Sequence, residues 1–409
     1  MGLCKGIFPS VSCVINSFYP HNGQSNDITT YFGEFWEPLF RIASWEETGE
    51  NANLKIVNAE HWSEHLALIR PYRIANKTFN DVENHFVRLE AENGMCGYGS
   101  ASPSGEVTGE SLADCAAALD RHLEERLLGK DLRRFPALIR ELQSVLADRP
   151  GALAAVDIAL HDLAGKLLET PLVEVLGRCH QSLPTSVTIG IQSVDEALAE
   201  AEEYLGQGFT ILKVKIGDRL EDDITLLTRL RQKVGPDIGI RVDANQGYSV
   251  DDLLHFYRHT QELNLELIEQ PLKADHLEKM RGLPEAIRSR CAGDESLRNP
   301  MDAMQCAQTP QPFGIFNIKL MKCGGINPAG QMARDAHLAG IRLMWGCNDE
   351  SCVSISAALH AALASPATRF LDLDGSFDLG RDLFKGGFVI GNGKLSTTDA
   401  SGLGVTPLD

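Results

Sequence analysis

Hydrophobic and polar positions follow two different rhythms along the chain. Across residues 54–59, 65–69 and 84–90 short apolar runs alternate with polar positions, separated by a polar stretch at 71–80 and followed by Gly94, Gly97 and Gly99. This pattern predicts an antiparallel sheet with a polar loop over 71–80. Helical spacing follows between Ser111 and Leu168, clearest where Ala155, Ile158, Ala159 and Leu163 repeat at three- and four-residue intervals. Together these stretches predict an α+β domain over 53–182.

At Leu183 the rhythm changes. Apolar strand-like runs lie near 186–191, 211–216, 238–243, 265–269, 291–294, 314–319, 341–346 and 369–373, with helical patterns between them. Eight strands alternating with helices predict a parallel β/α barrel over 183–385. Residues 386–409 carry turn signals and are expected to return to the first domain. Residues 1–52 read as an extension of unknown role, with neither a clean signal sequence nor a complete lipidation motif.

The barrel pattern gives meaning to the polar residues that close its strands. Lys213 and Lys215 share one face of the second strand, because side chains two apart point the same way. Asp243, Glu269, Asp294 and Lys319 then recur about 25 residues apart, the length of one strand, one helix and two short loops. Each therefore falls at the C-terminal end of a strand, where barrel active sites are built. Asp243, Glu269 and Asp294 form an all-oxygen set of the kind that suits Mg²⁺. Lys215 and Lys319 stand on the second and sixth strands, opposite each other in an eight-strand ring. That arrangement can remove a proton from one face of a carbon and return it to the other. A lysine base needs its pKa lowered toward about 7–8, and Lys213 is the neighbouring charge expected to lower that of Lys215.

Composition narrows the class. The net charge of −18 and pI near 5.1 argue against nucleic acid or an anionic membrane as partner. No apolar run approaches the roughly 20 residues of a membrane span. Ten cysteines without a pairing pattern fit a reducing cytoplasm. His61, Glu64 and His65 match a zinc-protease pattern, but that pattern needs a helix and here lies among strand-like runs.

Several ordered motifs resemble the enolase superfamily, in its muconate-lactonizing-enzyme subgroup, over roughly residues 54–409. They are Lys213-x-Lys215, Asp243-x-Asn245, Glu269-Gln270-Pro271, Gly293-Asp294-Glu295-Ser296, Asn317-x-Lys319 with Gly324-Gly325, and Gly402-Leu403-Gly404-Val405. The resemblance implies a modified TIM barrel, (β/α)7β, with an α+β capping domain built from both chain ends. The Lys base with Mg²⁺ is a documented pairing of this superfamily. On the eighth strand, Asp372-Leu-Asp374 is similar to the DxD signature of dipeptide epimerases, the group that includes the L-Ala-D/L-Glu enzymes. This implies a Mg²⁺-dependent epimerase whose Asp372 and Asp374 receive a dipeptide ammonium group. Thr188 is a further substrate-binding candidate, and Lys77 stands where related epimerases can carry an arginine for a distal carboxylate. A homo-oligomer is expected. N-acylamino-acid racemase, o-succinylbenzoate synthase and muconate cycloisomerase chemistry are the alternatives within the subgroup. A non-catalytic protein that kept the fold, as lens crystallins did, is the alternative from another class.

Overall fold

Strands β1 (Ile56–Ile74), β2 (Lys77–Ala91) and β3 (Cys96–Ala101) form an antiparallel meander. The structure is a computed structural model, and it describes residues 54–74, 77–105 and 108–408. Residues 1–52 therefore lie outside the described residues. The polar loop expected over 71–80 is instead a continuation of the hairpin, with Tyr72 opposite Phe79 and Ile74 opposite Lys77. The Tyr, Ile, Thr and Phe of that stretch favour strand, and their propensity outweighs the polar positions between them. His61, Glu64 and His65 all fall within β1, so the two histidines stand about 13 Å apart along the strand. His61 meets Asp120 at 3.1 Å and His65 meets Glu83 at 3.5 Å, and no zinc-protease site forms.

Helices α1 (Leu112–Leu127), α2 (Phe135–Val145), α3 (Pro150–Leu167) and α4 (Leu172–Leu176) follow. Ser111 and Asp114 start α1 with reciprocal side-chain to backbone hydrogen bonds. The helix α3 is buried from Gly151 to Gly165 and lies against β3. That approach requires Gly99, because a Cβ there would collide with the Ala155 carbonyl.

A short strand β4 (Leu183–Pro184) leads into the barrel, whose first strand is β5 (Val187–Ile189). The alternation then runs α5 (Val194–Gly206), β6 (Ile211–Lys215), α6 (Leu220–Val234), β7 (Gly239–Asp243), α7 (Val250–Thr260) and β8 (Leu267–Glu269). It continues with α8 (Leu277–Arg281), α9 (Glu285–Arg288), β9 (Cys291–Gly293), α10 (Pro300–Cys306) and β10 (Ile315–Ile318). The last units are α11 (Leu320–Cys323), α12 (Ile326–Leu338), β11 (Arg342–Gly346), α13 (Cys352–Leu363) and β12 (Thr368–Asp372). Ser193 with Glu196 and Ser249 with Asp252 start α5 and α7 with capping boxes, a signal visible in the sequence.

Neighbouring strands from β5 to β12 pair in parallel and in chain order. The first and last meet where Thr185 bridges Leu371 and Ser186 N donates to Leu371 O. Seven βα units followed by a lone eighth strand make a (β/α)7β barrel. Beyond it, β13 (Phe384–Gly386) pairs with β16 (Val405–Pro407), and β14 (Phe388–Gly391) with β15 (Lys394–Thr397), which reaches β4. Phe384 packs on Phe86 and Tyr98 of the first sheet, and Leu403 N donates to Asp162 on α3. No helix among the described residues is long and apolar enough to cross a membrane.

Candidate active site

Register decides which side chains meet at the barrel mouth. Lys215 on β6 lies opposite Asp243 on β7, and Asp243 lies opposite Glu269 on β8. Thr188 lies beside Lys213 on one side, and Asp372 beside Gly346 on the other. The strands β6 and β10 are four apart in the ring, so Lys215 and Lys319 rise from opposite sides.

These charges form one buried network. Lys213, 3% exposed, places Nζ 2.7 Å from Asp372 Oδ2, 2.7 Å from Glu269 Oε2 and 3.2 Å from Asp243 Oδ2. Lys215 Nζ reaches Asp243 Oδ2 at 2.7 Å, and Lys319 Nζ reaches Asp294 Oδ2 at 2.9 Å. Lys322 donates to the other Asp294 oxygen, Oδ1. Asn317 Nδ2 donates to Glu269 Oε1 at 2.6 Å, and Asn245 N to Asp243 Oδ1 at 3.0 Å.

Burial and neighbouring charge pull these groups apart in acidity. Burial raises Glu269, Asp243 raises it further, and together they outweigh Lys213, leaving its carboxyl at about 7. At Asp243 burial is overcome by Lys215 and Lys213, which hold it down to about 2. Asp294 is held well below the carboxylate range, because Lys319 and Lys322 outweigh its burial. Burial lowers Lys319 and Lys213, yet their carboxylate partners prevail and hold both ammonium groups above the ordinary lysine value. Lys319, the other lysine of the opposed pair, is raised rather than lowered, because its ion pair with Asp294 prevails.

The donor set fits a hard divalent cation. Asp243, Glu269 and Asp294 supply oxygen alone, from three successive strand ends. Glu269 Oε2 is buried and accepts no well-directed hydrogen bond, although Lys213 Nζ lies nearby. Among the described residues no three acidic, His or Cys side chains already converge as a ready cage. Each carboxylate is turned toward an ammonium group instead.

Asp372 and Asp374 differ sharply. Asp372 is buried, with Oδ2 on Lys213 and Oδ1 accepting from Ser186 Oγ at 2.6 Å. Asp374 accepts from Thr188 N on Oδ2 at 2.8 Å and, at the long distance of 4.0 Å, from Cys347 Sγ on Oδ1, and burial together with Asp372 lifts it to about 7. Both line a cleft of about 1090 Å³ between the first sheet and the barrel mouth, shared with Lys213, Lys215, Lys319 and Thr188. Its outer wall carries Glu196, Glu200, Glu203 and Asp378, with Arg70 paired to Glu203. Cys347 lines it too, its thiol pushed well up by burial and nearby carboxylates and donating to Asp372 O at 3.2 Å. The side chain of Lys77 lies outside the described residues.

Residues 196–409 match the Enolase C-terminal domain-like family, and residues 57–177 match the N-terminal domain of mandelate racemase and muconate lactonizing enzyme. The chain belongs to the enolase superfamily. Among its relatives, the L-Lys-D/L-Arg epimerase of Desulforapulum autotrophicum is 57% identical over 352 residues, 86% of this chain and 99% of that one. The L-Ala-D/L-Glu epimerase of Bacillus subtilis is 34% identical, across 86% of this chain and 97% of that one. The dipeptide epimerase of Methylococcus capsulatus, crystallised with Mg and the dipeptide L-Arg-D-Lys, superposes with a TM-score of 0.85. It is 53% identical, over 86% of this chain and 99% of that one. Within this superfamily member, sequence reasoning passed over Lys322 and Ser186. The first could have been found, because one helical turn puts it on the same side as Lys319. Ser186 offers no local signal, since its partner Asp372 lies 186 residues away.

Proposed function

We propose that the chain is a Mg²⁺-dependent dipeptide epimerase, inverting the α-carbon of the C-terminal residue by proton transfer between two lysines. The observation that carries the reading is the placement of Lys215 and Lys319 on opposed strands, with carboxylates between them and Asp374 facing the same cleft. Asp243, Glu269 and Asp294 are the residues that would hold the metal, which would supply electrophilic stabilisation to the substrate carboxylate. Asp294 would then share its charge with the metal, which would loosen its hold on Lys319 and make that amine available as a base. Lys215 or Lys319 removes the α-proton, and the ammonium on the opposite side returns one to the other face. Lys213 neutralises Asp372 and Glu269 and keeps the mouth compact. Asp374 receives the dipeptide ammonium, assisted by Asp372 and positioned by Thr188.

Lysine- or arginine-bearing dipeptides are the substrate class we infer. The acidic outer wall supports it, as do relatives named for L-Lys-D/L-Arg epimerisation at 57% and 52% identity. We read the protein as a cytoplasmic homo-oligomer, a reading supported by the free cysteines among the described residues and by exposed apolar side chains such as Met301 and Leu338. Its domain boundaries are set at 52/53, 182/183 and 385/386.

The test is α-proton exchange in D₂O with Mg²⁺ across L-Ala-L-X, L-Lys-L-X and L-Arg-L-X dipeptides. Exchange is expected in all three sets and fastest with the cationic ones. No exchange with any dipeptide sinks the proposal, and exchange confined to N-acylated amino acids replaces it with racemisation of those compounds.

A further inference from the structure

Lys322 is a buried charge that the proposed reaction leaves unused. Its side chain is 1% exposed, and its ammonium meets the Asp294 carbonyl at 2.6 Å, the Asn317 carbonyl at 3.1 Å and Asp294 Oδ1. An ammonium has three N–H donors, so none remains for a substrate. On the other side of the same residue, Gln270 Oε1 accepts from Asp294 N at 2.8 Å. Gln270 sits at φ +31°, a region uncommon for a residue with a side chain, and is held there by further bonds to Leu272 O and Ser296. Asn317, whose carbonyl Lys322 holds, donates from its own side chain to Glu269 Oε1 at 2.6 Å. One buried cation thereby fixes Asp294 directly and Glu269 through Asn317.

Lys319, three residues earlier, lines the cleft and reaches only the other carboxylate oxygen of Asp294, Oδ2, at 2.9 Å. We propose that the two lysines divide Asp294 between them: Lys322 is a positioning residue that keeps Oδ1, so that Oδ2 would be the oxygen available to a metal once Lys319 acts on substrate. The inference rests on the reading of Asp294 as a metal ligand. Electrostatics alone argues the other way, since an ammonium this close to a cation site repels the cation. The two effects have opposite signs, and the sign of the change on removing Lys322 separates them.

The experiment is calorimetric titration of the whole protein with Mg²⁺ alone, no substrate present, for the unmutated chain and Lys322→Met. Positioning predicts Mg²⁺ binding about tenfold to a hundredfold weaker, the scale on which groups that orient metal ligands act. It also predicts that the Mg²⁺ concentration for half-maximal exchange rises by the same factor, while kcat at saturating Mg²⁺ largely recovers. A purely structural role would lower the folded fraction and leave that concentration unmoved. Equal or tighter Mg²⁺ binding by folded Lys322→Met overturns the proposal. Should the variant not fold, a crystal structure of the unmutated protein with Mg²⁺ decides: Lys322 is expected to keep the Asp294 and Asn317 carbonyls, and its departure from either overturns the proposal. Absence of Mg²⁺ binding by the unmutated chain removes Asp294 as a ligand and the inference with it.

Discussion

The lower interior of the barrel and its mouth both bury charge, and they settle it differently. Below, Arg241 is 1% exposed and meets Glu266 Oε2 at 2.7 Å, Ser186 Oγ at 3.3 Å and the carbonyl of Leu371, with the Phe370 ring 5.1 Å away. Around it Leu267, Ala292, Ile315 and Met344 fill the space with apolar side chains. One cation there meets three acceptors and an aromatic face, and breaking such a buried set strands its partners. At the mouth, four lysines share four carboxylates, Asp243, Glu269, Asp294 and Asp372, and carboxyl groups on adjoining strands sit at about 2 and about 7. Groups pushed that far apart keep an unsettled demand for a cation and for a proton. The comparison separates charge placed for stability from charge placed for chemistry.

Removing either opposed lysine should break it most visibly. In Lys215→Ala or Lys319→Ala, epimerisation is expected to fall by about 10²–10⁴-fold or more, the scale of a lost general base. Exchange in D₂O should survive for one stereoisomer in each variant, and persistence for both in either one would mean that lysine is no base. Next in size is Asp374→Asn. Loss of a charge-assisted bond to an ammonium is expected to cost about tenfold to a hundredfold in kcat/KM. The loss should appear with a free dipeptide and nearly vanish with its N-acetyl derivative.

The lower barrel should respond in the opposite way. Arg241→Met is expected to destabilise by about 1–3 kcal/mol through the acceptors it strands at Leu371 and Ser186, read as a lower Tm. The kcat/KM of the protein that remains folded should fall far less than in the lysine variants, because Arg241 reaches the mouth only through Ser186 and Asp372. A large kcat/KM loss would join the two ends and undo the comparison.

The smallest effect is a pH dependence at the rim of the mouth. Glu350 is 2% exposed and burial lifts it to about 7, against the hydrogen bond that Asn348 N donates at 2.7 Å. A carboxyl raised in the folded protein stays protonated where the unfolded chain would ionise it. Its stabilising contribution is whole below the ordinary value near 4.5 and is lost as pH rises through about 7. Melting temperatures between pH 5 and 8 should therefore decline, and Glu350→Gln should flatten the decline.

The legible part of this molecule is the part written in periods. Hydrophobic alternation placed all eight barrel strands, and the spacing of Asp243, Glu269, Asp294 and Lys319 placed their side chains at one end. The hairpin over 71–80 was misread because polar residues there mask strand-forming neighbours. Asp372 and Asp374 look equivalent in the sequence, two carboxylates on one face of a strand. In the fold Asp372 is consumed by Lys213 and Ser186, while Asp374, which lines the cleft, meets no cation among the described residues and accepts only from the Thr188 N–H and a distant thiol.

Local rules alone therefore determined the element order, the barrel and the ring of charged strand ends, because strand alternation and helix capping act over a few residues. Tertiary structure decided who partners whom. The bond from Ser186 to Asp372, the grip of Lys322 on Asp294 and the upward shift of Lys319 each need groups from different strands to share one buried space. Burial removes the water that would otherwise make such charges independent, so their roles depend on neighbours that no short stretch of sequence can name.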